Sequence, residues 1–454
     1  MKQPHKPAVR FIFVTLLLDV LGFGLLIPVG PRLVQELQGE GASPETAAVP
    51  YGLLAVTFAV MQFFFAPVLG SLSDRFGRRP VILLSLLGSG LDFIAQALAP
   101  NLWVLFLTRA LNGVSGSNIT VCNAYIADVT PPEKRAAGFG MIGAAFGIGF
   151  VFGPLMGGGI YAGAVWLGTH AAELPEWSRG LAEFAGTHAV RLPFFAAAAL
   201  CLVNWAYGCF VLPESLAPEN RRAFSLKGAH PIAATRHMAR YPVVLGLGAA
   251  LFLMNIAQFG LHVTWALYTQ YRYHWEPWEV ALSLTLVGVG AAVVQGGLAR
   301  KIIPAMGEPR SVIVGIAIGI AAFAAYGLAT RGWMIYALVL VASLGGIAGP
   351  AIQSIITRAV RPDEQGEVQG ALTSFNSGLA AILGPAIAAP MFKYFISTDA
   401  PMHLPGAPYL WGSFLCVIGL VLTARVLNRH ADAIRPPASP GAGPAPSPAP
   451  REPG

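Results

Sequence analysis

The chain contains a long series of nearly uninterrupted apolar runs, and these constrain its fold more than any other feature. Val81 to Ala99 is representative, with nineteen residues and a single charged side chain, Asp92. A helix needs about 20 apolar residues to cross the hydrocarbon core of a bilayer. Because such runs recur along a sequence with only 11% charged residues and a mean hydropathy of +0.61, we expect an integral membrane protein.

Twelve of these runs are long enough to cross a membrane. They are too long and continuous for a β-barrel, whose strands alternate in segments of about ten residues, whereas helices satisfy their own backbone hydrogen bonds in lipid. The predicted fold class is therefore all-α integral membrane, with twelve transmembrane helices. The expected spans are 8–32, 47–72, 80–99, 102–127, 136–163, 193–212, 242–271, 278–301, 311–330, 333–359, 367–394 and 408–428.

The basic residues predict which side of the membrane each loop faces. Cytoplasmic loops are enriched in Lys and Arg, and most of the 29 such residues fall on one side if the N-terminus is cytoplasmic. Both termini are then cytoplasmic. The net charge of +7 is explained by loops beside anionic lipid and requires no nucleic-acid partner. The exceptions are Arg32, Arg179, Arg191, Arg272, Arg331 and Lys393 on the other side, and Arg109 inside a span.

Internal similarity divides the chain into two halves. Gly153-Pro154 is echoed by Gly384-Pro385 about 230 residues later, and repeated halves are common in transporters. A long external loop is expected over 164–192. The predicted parts are an N-terminal six-helix half (1–212), a cytoplasmic linker (213–241), a C-terminal six-helix half (242–430) and a disordered Pro-rich cytoplasmic tail (431–454).

Three ionisable side chains lie well inside predicted spans: Asp19, Asp92 and Arg109. A charge in hydrocarbon costs a few kcal/mol, so each is expected to have a partner or a function. Burial and a nearby opposite charge act in opposite directions on a carboxylate, and an acid balanced between them can exchange protons. We interpret both acids as proton-coupling or cation-binding groups linked to Arg109. The alternative is a buried ion pair that fixes helix packing.

The ten residues Gly70 to Arg79, GSLSDRFGRR, join the second and third spans with four charges and two glycines. This pattern resembles the signature between the second and third helices of transporters of the major facilitator superfamily (MFS). We expect a cytoplasmic gate in which Asp74 meets the positive N-terminal end of helix eleven near 367–370 and Arg78 reaches Asp128. The alternative is a basic loop that only sets topology. The gate residues are Gly70, Asp74, Arg75, Gly77, Arg78, Arg79 and Asp128.

Four further segments, LLDVLGFGLLIPVGP, SLLGSGLDFIAQAL, TRALNGVSG and GFVFGPLMGG, resemble the Tet-type drug:proton antiporters of the MFS over nearly the full chain. The resemblance implies that the two acids handle substrate and protons and that the arginine couples them. It also implies a His in helix eight and an acid in helix nine, where this chain has Ala291 and Gly319. The small residues of helix five resemble the antiporter signature and favour export. They are Gly149, Gly153, Pro154, Gly157 and Gly158.

A substrate pocket is expected between the two halves, near the bilayer midplane. Polar side chains in spanning helices usually face inward, although they can also merely bridge helices. His262 is the candidate titrating group of the C-terminal half, with a hydrogen-bonded packing role as its alternative. The expected pocket residues, besides the three charges, are Gln62, Asn112, Asn118, Gln258, His262, Trp265 and Gln295.

The predicted function is proton-coupled secondary active export of a small amphiphilic compound or drug, with tetracycline-like substrates included, by alternating access. The alternative is a proton symporter that imports a nutrient. A receptor or an enzyme is a third reading, but no Ser/His/Asp set, paired-His motif or phosphate loop is present. We expect no cofactor and no metal, since the four cysteines show no metal-ligand spacing. The expected partners are substrate, protons and lipid, in a monomer of the bacterial inner membrane.

Overall fold

The computed structural model describes residues 6–130, 135–222, 240–361 and 364–430. Regular structure in these ranges is helical throughout, as the sequence predicts. The predicted tail and residues 223–239 of the predicted linker lie outside them. The α-helices are α1 (Lys6–Leu26), α2 (Gly30–Gln38), α3 (Pro44–Phe76), α4 (Arg78–Ala97), α5 (Leu102–Ser115), α6 (Asn118–Val129), α7 (Arg135–Thr169), α8 (Glu176–Thr187), α9 (Leu192–Val211), α10 (Pro242–Tyr273), α11 (Pro277–Val293), α12 (Ala299–Met306), α13 (Glu308–Leu328), α14 (Gly332–Ser343), α15 (Ala348–Ala359), α16 (Gln365–Thr373), α17 (Ala380–Ile396) and α18 (Ala407–Arg429).

Within the described residues, ten continuous helical segments are long and apolar enough to cross a bilayer, some of them made of two of these helices and the short segment that joins them, and the bent pair α1 and α2 raises the number to eleven. Helices α5 and α6 continue one another through a turn at Gly116 and Ser117, and we count them as a further crossing. The described ranges thus accommodate the twelve expected spans. Because this number is even, α1 begins and α18 ends on the same side of the membrane. We call that side the terminal face and the opposite side the distal face.

Several crossings are interrupted along their length. Helices α1 and α2 meet at 47°, and Pro28 lies in the break between them. A π-helical segment, Val294–Leu298, joins α11 to α12, and a second, Ser374–Leu379, joins α16 to α17. A 3-10 segment, Leu344–Ile347, joins α14 to α15. Such interruptions in a spanning helix require polar or packing partners for the freed backbone groups, so they are found where the helix is covered by protein or lines a cavity.

Exposed tryptophans mark the membrane boundary at the distal face. Trp103, Trp278 and Trp333 lie in the first turns of α5, α11 and α14, and their exposed fractions are 84%, 49% and 65%. All three of these helices begin at the distal face. Tryptophan is enriched at membrane interfaces because its ring is apolar and its N–H is polar. These three side chains therefore fit an aromatic belt at the headgroup level.

The helices pack into two halves with two seams between them. In the N-terminal half, α1 packs on α7 and α9, and α4 packs on α5 and α9. In the C-terminal half, α10 packs on α17 and α18, and α13 packs on α18. The halves meet where α7 packs on α11 and where α3 packs on α17. Since α9 ends at Val211 and α10 begins at Pro242, the chain passes from one half to the other between these residues.

The two halves share a turn at equivalent positions about 230 residues apart. Gly77 separates α3 from α4 and has a φ of +103°, and Gly307 separates α12 from α13 and has a φ of +81°. Residues with side chains rarely adopt such values, so glycine permits a helix to end and the next to begin within one residue. The repeat suggested by the sequence is therefore also present in the backbone.

An ion pair accompanies each of these turns, with its charges exchanged between the halves. In the N-terminal half, Arg78 Nε lies 3.1 Å from Asp128 Oδ2. In the C-terminal half, Arg358 contacts both carboxylate oxygens of Glu308. Arg78 and Glu308 follow the two turn glycines, and Asp128 and Arg358 lie near the ends of α6 and α15. Both halves therefore have an ion pair at this turn, but the residue that follows the glycine is the cation in the N-terminal half and the anion in the C-terminal half.

Residues 164–192, predicted as an external loop, are largely helical. Helix α7 continues to Thr169, past the predicted end of its span at 163, and α8 packs back against it. The close approach depends on glycine, because a Cβ on Gly168 would lie 2.6 Å from the Gly186 Cα. On α8, Trp177 is 86% exposed.

Candidate functional site

Asp92 is the centre of a polar cluster inside the N-terminal half. It lies in α4 and is 6% exposed. Gln96 Nε2 donates a hydrogen bond to its Oδ2 at 2.5 Å, whereas its Oδ1 has no hydrogen-bond partner within the described residues. Arg109 of α5 interacts electrostatically with the carboxylate, and the side chain of Asn112 lies beside it. Three of the predicted site residues are therefore brought together here.

Asp19 has a different partner. It lies in α1, and Asn118 Nδ2 donates a hydrogen bond to its Oδ2 at 3.3 Å. Asn118 is the first residue of α6, so the break between α5 and α6 places its amide beside α1. Among the contacts of the described residues, none joins Asp19 to Arg109. The structure thus forms two acid sites, each hydrogen-bonded to a side-chain amide, and Arg109 acts electrostatically on the Asp92 site.

The two acid sites are neighbours across a third helix. Cys201 of α9 is within electrostatic range of both Asp19 and Asp92, and Gly22 of α1 lies against the ring of Phe93, which follows Asp92. Both acids therefore lie close to α9, which packs against α1 and against α4.

Gln62 supports the break in the fourth crossing and does not contact either acid. Its side-chain Nε2 donates to the backbone carbonyl of Gly116 at 3.1 Å, and the backbone carbonyl of Gln62 accepts from Ser117 Oγ at 3.3 Å. Side-chain amides commonly satisfy backbone groups freed by a helix break. Gln62 therefore helps to fix Asn118, which directly follows the break, in the position where it meets Asp19.

In the C-terminal half, Gln258 and His262 form a polar pair one turn apart on α10. Their side chains are 2.9 Å apart between Nε2 atoms. The His262 ring lies 6.4 Å from the ring of Phe150 on α7 and 6.1 Å from that of Phe259. Phe150 in turn contacts Phe23, one turn after Asp19, at 6.3 Å. His262 therefore faces the other half of the molecule.

The prediction that Trp265 lines the pocket is wrong for this structure. Its side chain is 1% exposed, and its Nε1 donates to Ser283 Oγ at 2.9 Å. Its ring packs edge-on against Tyr326 and Tyr409. Trp265 shares a helix face with His262 but lies nearer the distal end, where α10, α11 and α18 converge. A large ring with one donor is stable in such a core.

The remaining predicted residues of the C-terminal half lie near the interrupted helices. Gln295 is exposed and occupies the π segment between α11 and α12. Ala291, one turn earlier, and Gly319, in α13, are both half-buried. Among the predicted site residues, the polar groups of the C-terminal half are therefore amides and one imidazole, in contrast to the charges of the N-terminal half.

The stretch predicted as a loop over 70–79 is mostly helix, which corrects that interpretation. Helix α3 continues to Phe76, and α4 begins at Arg78. The predicted contact between Arg78 and Asp128 is present, and Arg78 Nη1 also pairs with Asp74 at 2.7 Å. Asp74 was expected to reach helix eleven near 367–370. The side chains at 366 and 367 lie outside the described residues, so that contact stays a prediction.

Glu214 completes this cluster and was missed by sequence reasoning. Its carboxylate accepts the backbone N–H groups of Arg78 at 2.9 Å and of Arg79 at 3.3 Å. The first N–H groups of a helix lack partners within the helix, and an anion there is also favoured by the helix dipole. Glu214 thus caps α4 from the end of α9. No local signal predicts this, because the two residues are far apart in sequence.

The glycines of the predicted packing motif bring α7 into backbone contact with α1. A Cβ on Gly153 would lie 2.9 Å from the Gly24 Cα, and one on Gly149 would lie 2.5 Å from Val20 Cγ1. One on Gly157 would overlap the Leu25 carbonyl oxygen. Small residues permit such close helix packing in membranes.

Gly158 performs the same role at the seam between the halves. A Cβ there would lie 2.5 Å from Ala281 Cβ on α11 and 3.0 Å from the Pro277 carbonyl oxygen. The motif therefore packs α7 on two sides, and one of these sides is the seam between the halves.

Comparisons with known proteins agree with this architecture. Residues 12–385 match the family profile described as Major Facilitator Superfamily. The tetracycline resistance protein, class C, of Escherichia coli is 34% identical over 86% of this chain and 91% of its own length. The class E protein of Escherichia coli is 35% identical over 91% and 94%. A bacterial homolog of the human lysosomal transporter Spinster covers 96% of this chain and 100% of its own, with a TM-score of 0.74 and 16% identity.

Proposed function

The chain belongs to the major facilitator superfamily, in the Tet-type family of its tetracycline-resistance relatives, and we propose that it exports a small amphiphilic compound in exchange for protons. The observation that carries the proposal is the pair of acid sites in the N-terminal half. Asp92 is buried within electrostatic range of Arg109, and one of its oxygens has no hydrogen-bond partner among the described residues. Among the same residues, Asp19 is bonded to an amide and not to a cation.

The surroundings of each acid favour a change in its protonation during transport. A buried carboxylate that lacks full hydrogen bonding is costly when ionised, so protonation relieves it. Substrate or water entering between the halves changes this cost, because it changes the surroundings of the carboxylate. Proton binding and substrate binding at the acids then compete, and rocking of the two halves carries each to the opposite side.

The relatives favour export over the importer alternative, since they are named for resistance to tetracycline. We propose that the protein is a monomer of the bacterial inner membrane with its terminal face in the cytoplasm, as the basic residues indicate. The transported compound is of the tetracycline-like, amphiphilic class. Phe23 and Phe150 near His262 provide apolar ring surface for it.

The test uses inverted membrane vesicles with an acidic interior and tetracycline as the probe. Export by the intact cell appears here as uptake into the vesicle. The wild-type chain should take up the drug, and Asp19→Asn should reduce the pH-driven uptake at least about tenfold, because an amide cannot carry the proton. The matched control is Asp399→Asn, an exposed acid at the distal face, which should behave as wild type.

Two results would contradict the proposal. One is undiminished pH-driven uptake by Asp19→Asn, which would remove the acid from the coupling. The other is accumulation of substrate by intact cells expressing the wild-type chain, which would support the proton symporter instead.

A further inference from the structure

A set of polar contacts joins the two halves at the distal face. Arg32, in α2, pairs with Glu276, which precedes α11, at 2.9 Å between Nη2 and Oε1. Tyr161 of α7 donates its hydroxyl to the other oxygen of the same carboxylate at 3.2 Å. Both donors belong to the N-terminal half and the acceptor belongs to the C-terminal half.

A reciprocal amide pair reinforces these contacts. Gln35 Nε2 donates to Gln270 Oε1 at 3.1 Å, and Gln270 Nε2 donates back to Gln35 Oε1 at 3.0 Å. Gln35 is one turn beyond Arg32 on α2, and Gln270 is in the last turn of α10. Five side chains therefore tie α2 and α7 to the ends of α10 and α11.

Glu276 is held in position for this role. Its backbone N–H donates to Glu279 Oε2 at 2.9 Å, which forms a capping box at the start of α11. Because this cap fixes the backbone, the carboxylate is presented to the other half without the entropic cost of ordering a free loop.

We infer that these residues, which we call the distal lock (Arg32, Gln35, Tyr161, Gln270 and Glu276), are positioning residues that hold the distal face closed. The lock must break whenever the halves separate at that face. It therefore sets the ratio of distally closed to distally open molecules. The inference goes beyond the proposed export function and requires only that the halves move relative to one another.

The lock is accessible from the distal side. A cavity of about 580 Å³ is lined by Arg32, Gln270 and Glu276, and the side chains of Arg32 and Glu276 are 29% and 47% exposed. Pairs with such exposure are weaker than buried ones, because water competes for both charges. A contact of this strength can hold the closed state and still open in each transport cycle.

The experiment measures the distance between spin labels on the two halves at the distal face. The labels replace Pro100, between α4 and α5, and Thr330, between α13 and α14, which are both exposed and outside the lock. The background lacks the four native cysteines. We expect Glu276→Gln to raise the ratio of open to closed molecules about three- to fivefold, the range for loss of one partly exposed ion pair.

A variant in which the charges of Arg32 and Glu276 are exchanged tests whether their attraction holds the distal face closed. R32E/E276R restores the attraction and should return the ratio to within about twofold of wild type. The matched control is Glu183→Gln on α8, an exposed acid at the same face, which should leave the ratio unchanged. The inference is overturned if Glu276→Gln leaves the ratio of open to closed molecules unchanged, as the control does. It is also overturned if this ratio is as high in R32E/E276R as in Glu276→Gln.

If Glu276→Gln fails to insert, Tyr161→Phe and Gln35→Ala provide the same test, each with a smaller expected opening. The measurement needs neither substrate nor protons. A failure of the lock and a failure of the proposed export are therefore distinguishable.

Discussion

The ion pair between Glu308 and Arg358 can be tested by exchanging its charges, because the N-terminal half contains an equivalent pair in the opposite order. Glu308 and Arg358 occupy the positions that Arg78 and Asp128 occupy about 230 residues earlier. The substitution E308R places two arginines together. The double substitution E308R/R358D reproduces the order of charges found at Arg78 and Asp128, although Pro304 stands where the N-terminal half has Asp74. The N-terminal half therefore provides an example of the exchanged order.

The expected magnitude follows from the contacts. The side chains of Arg358 and Glu308 are 38% and 19% exposed, and a pair of this exposure contributes up to about 1 kcal/mol. Two like charges about 4 Å apart repel by about 1 kcal/mol in water and more in protein. Ser354 also loses its acceptor, Glu308 Oε1, at a cost of about 1 kcal/mol. E308R should therefore lower the free energy of unfolding by about 2–3 kcal/mol.

The double variant should recover most of this loss, because the ion pair forms again with its charges exchanged. Only the Ser354 hydrogen bond stays unmade, so we expect a residual loss of about 1 kcal/mol. The assay is thermal unfolding of the purified chain in detergent, followed by cysteine accessibility, because Cys122, Cys201 and Cys416 are buried.

The control is Glu176→Arg on α8, an exposed charge reversal that should change stability by less than about 0.5 kcal/mol. The reasoning is refuted if E308R/R358D is no more stable than E308R. The two halves would then share a backbone turn without sharing the geometry of the ion pair.

Three further substitutions test other parts of the structure. Gly157→Leu should abolish insertion or reduce stability by about 3 kcal/mol or more in unfolding assays, because its side chain would overlap the backbone of α1 at Leu25. Trp265→Phe should cost about 1 kcal/mol through the lost hydrogen bond to Ser283, and tetracycline uptake by vesicles should keep its KM. Asp74→Asn, which weakens the contact with Arg78, should slow uptake and change the distance between the halves at the terminal face; no change in either would leave the gate without support.

The spans and the family were predictable because both leave local signals. Apolar runs of about twenty residues are required by the bilayer wherever they occur in the fold, and the observed helices follow them closely. The acids Asp19 and Asp92 stand out for the same reason, since a charge within an apolar run is conspicuous. Their partners were only partly predictable, because Asn118 reaches Asp19 through a break in the fourth crossing.

Other features depend on contacts between residues far apart in the chain. The sequence predicted a loop at 70–79, yet the helix continues because Gly77 alone makes the turn. Trp265 has the right helical spacing for the pocket but lies where neighbouring helices close over it. Neither outcome can be read from spacing, since spacing specifies a helix face and not what covers it.

The sequence by itself determined that the protein lies in a lipid bilayer, how many times the chain crosses it, that the chain consists of two repeated halves, and which charged residues are buried. Each of these is a property of consecutive residues. Only the tertiary structure decided the pairing of those charges, the capping of α4 by Glu214 and the distal lock between Arg32 and Glu276. The physical reason is that a hydrogen bond or an ion pair acts over about 3 Å. Which side chains come that close is set by the packing of whole helices.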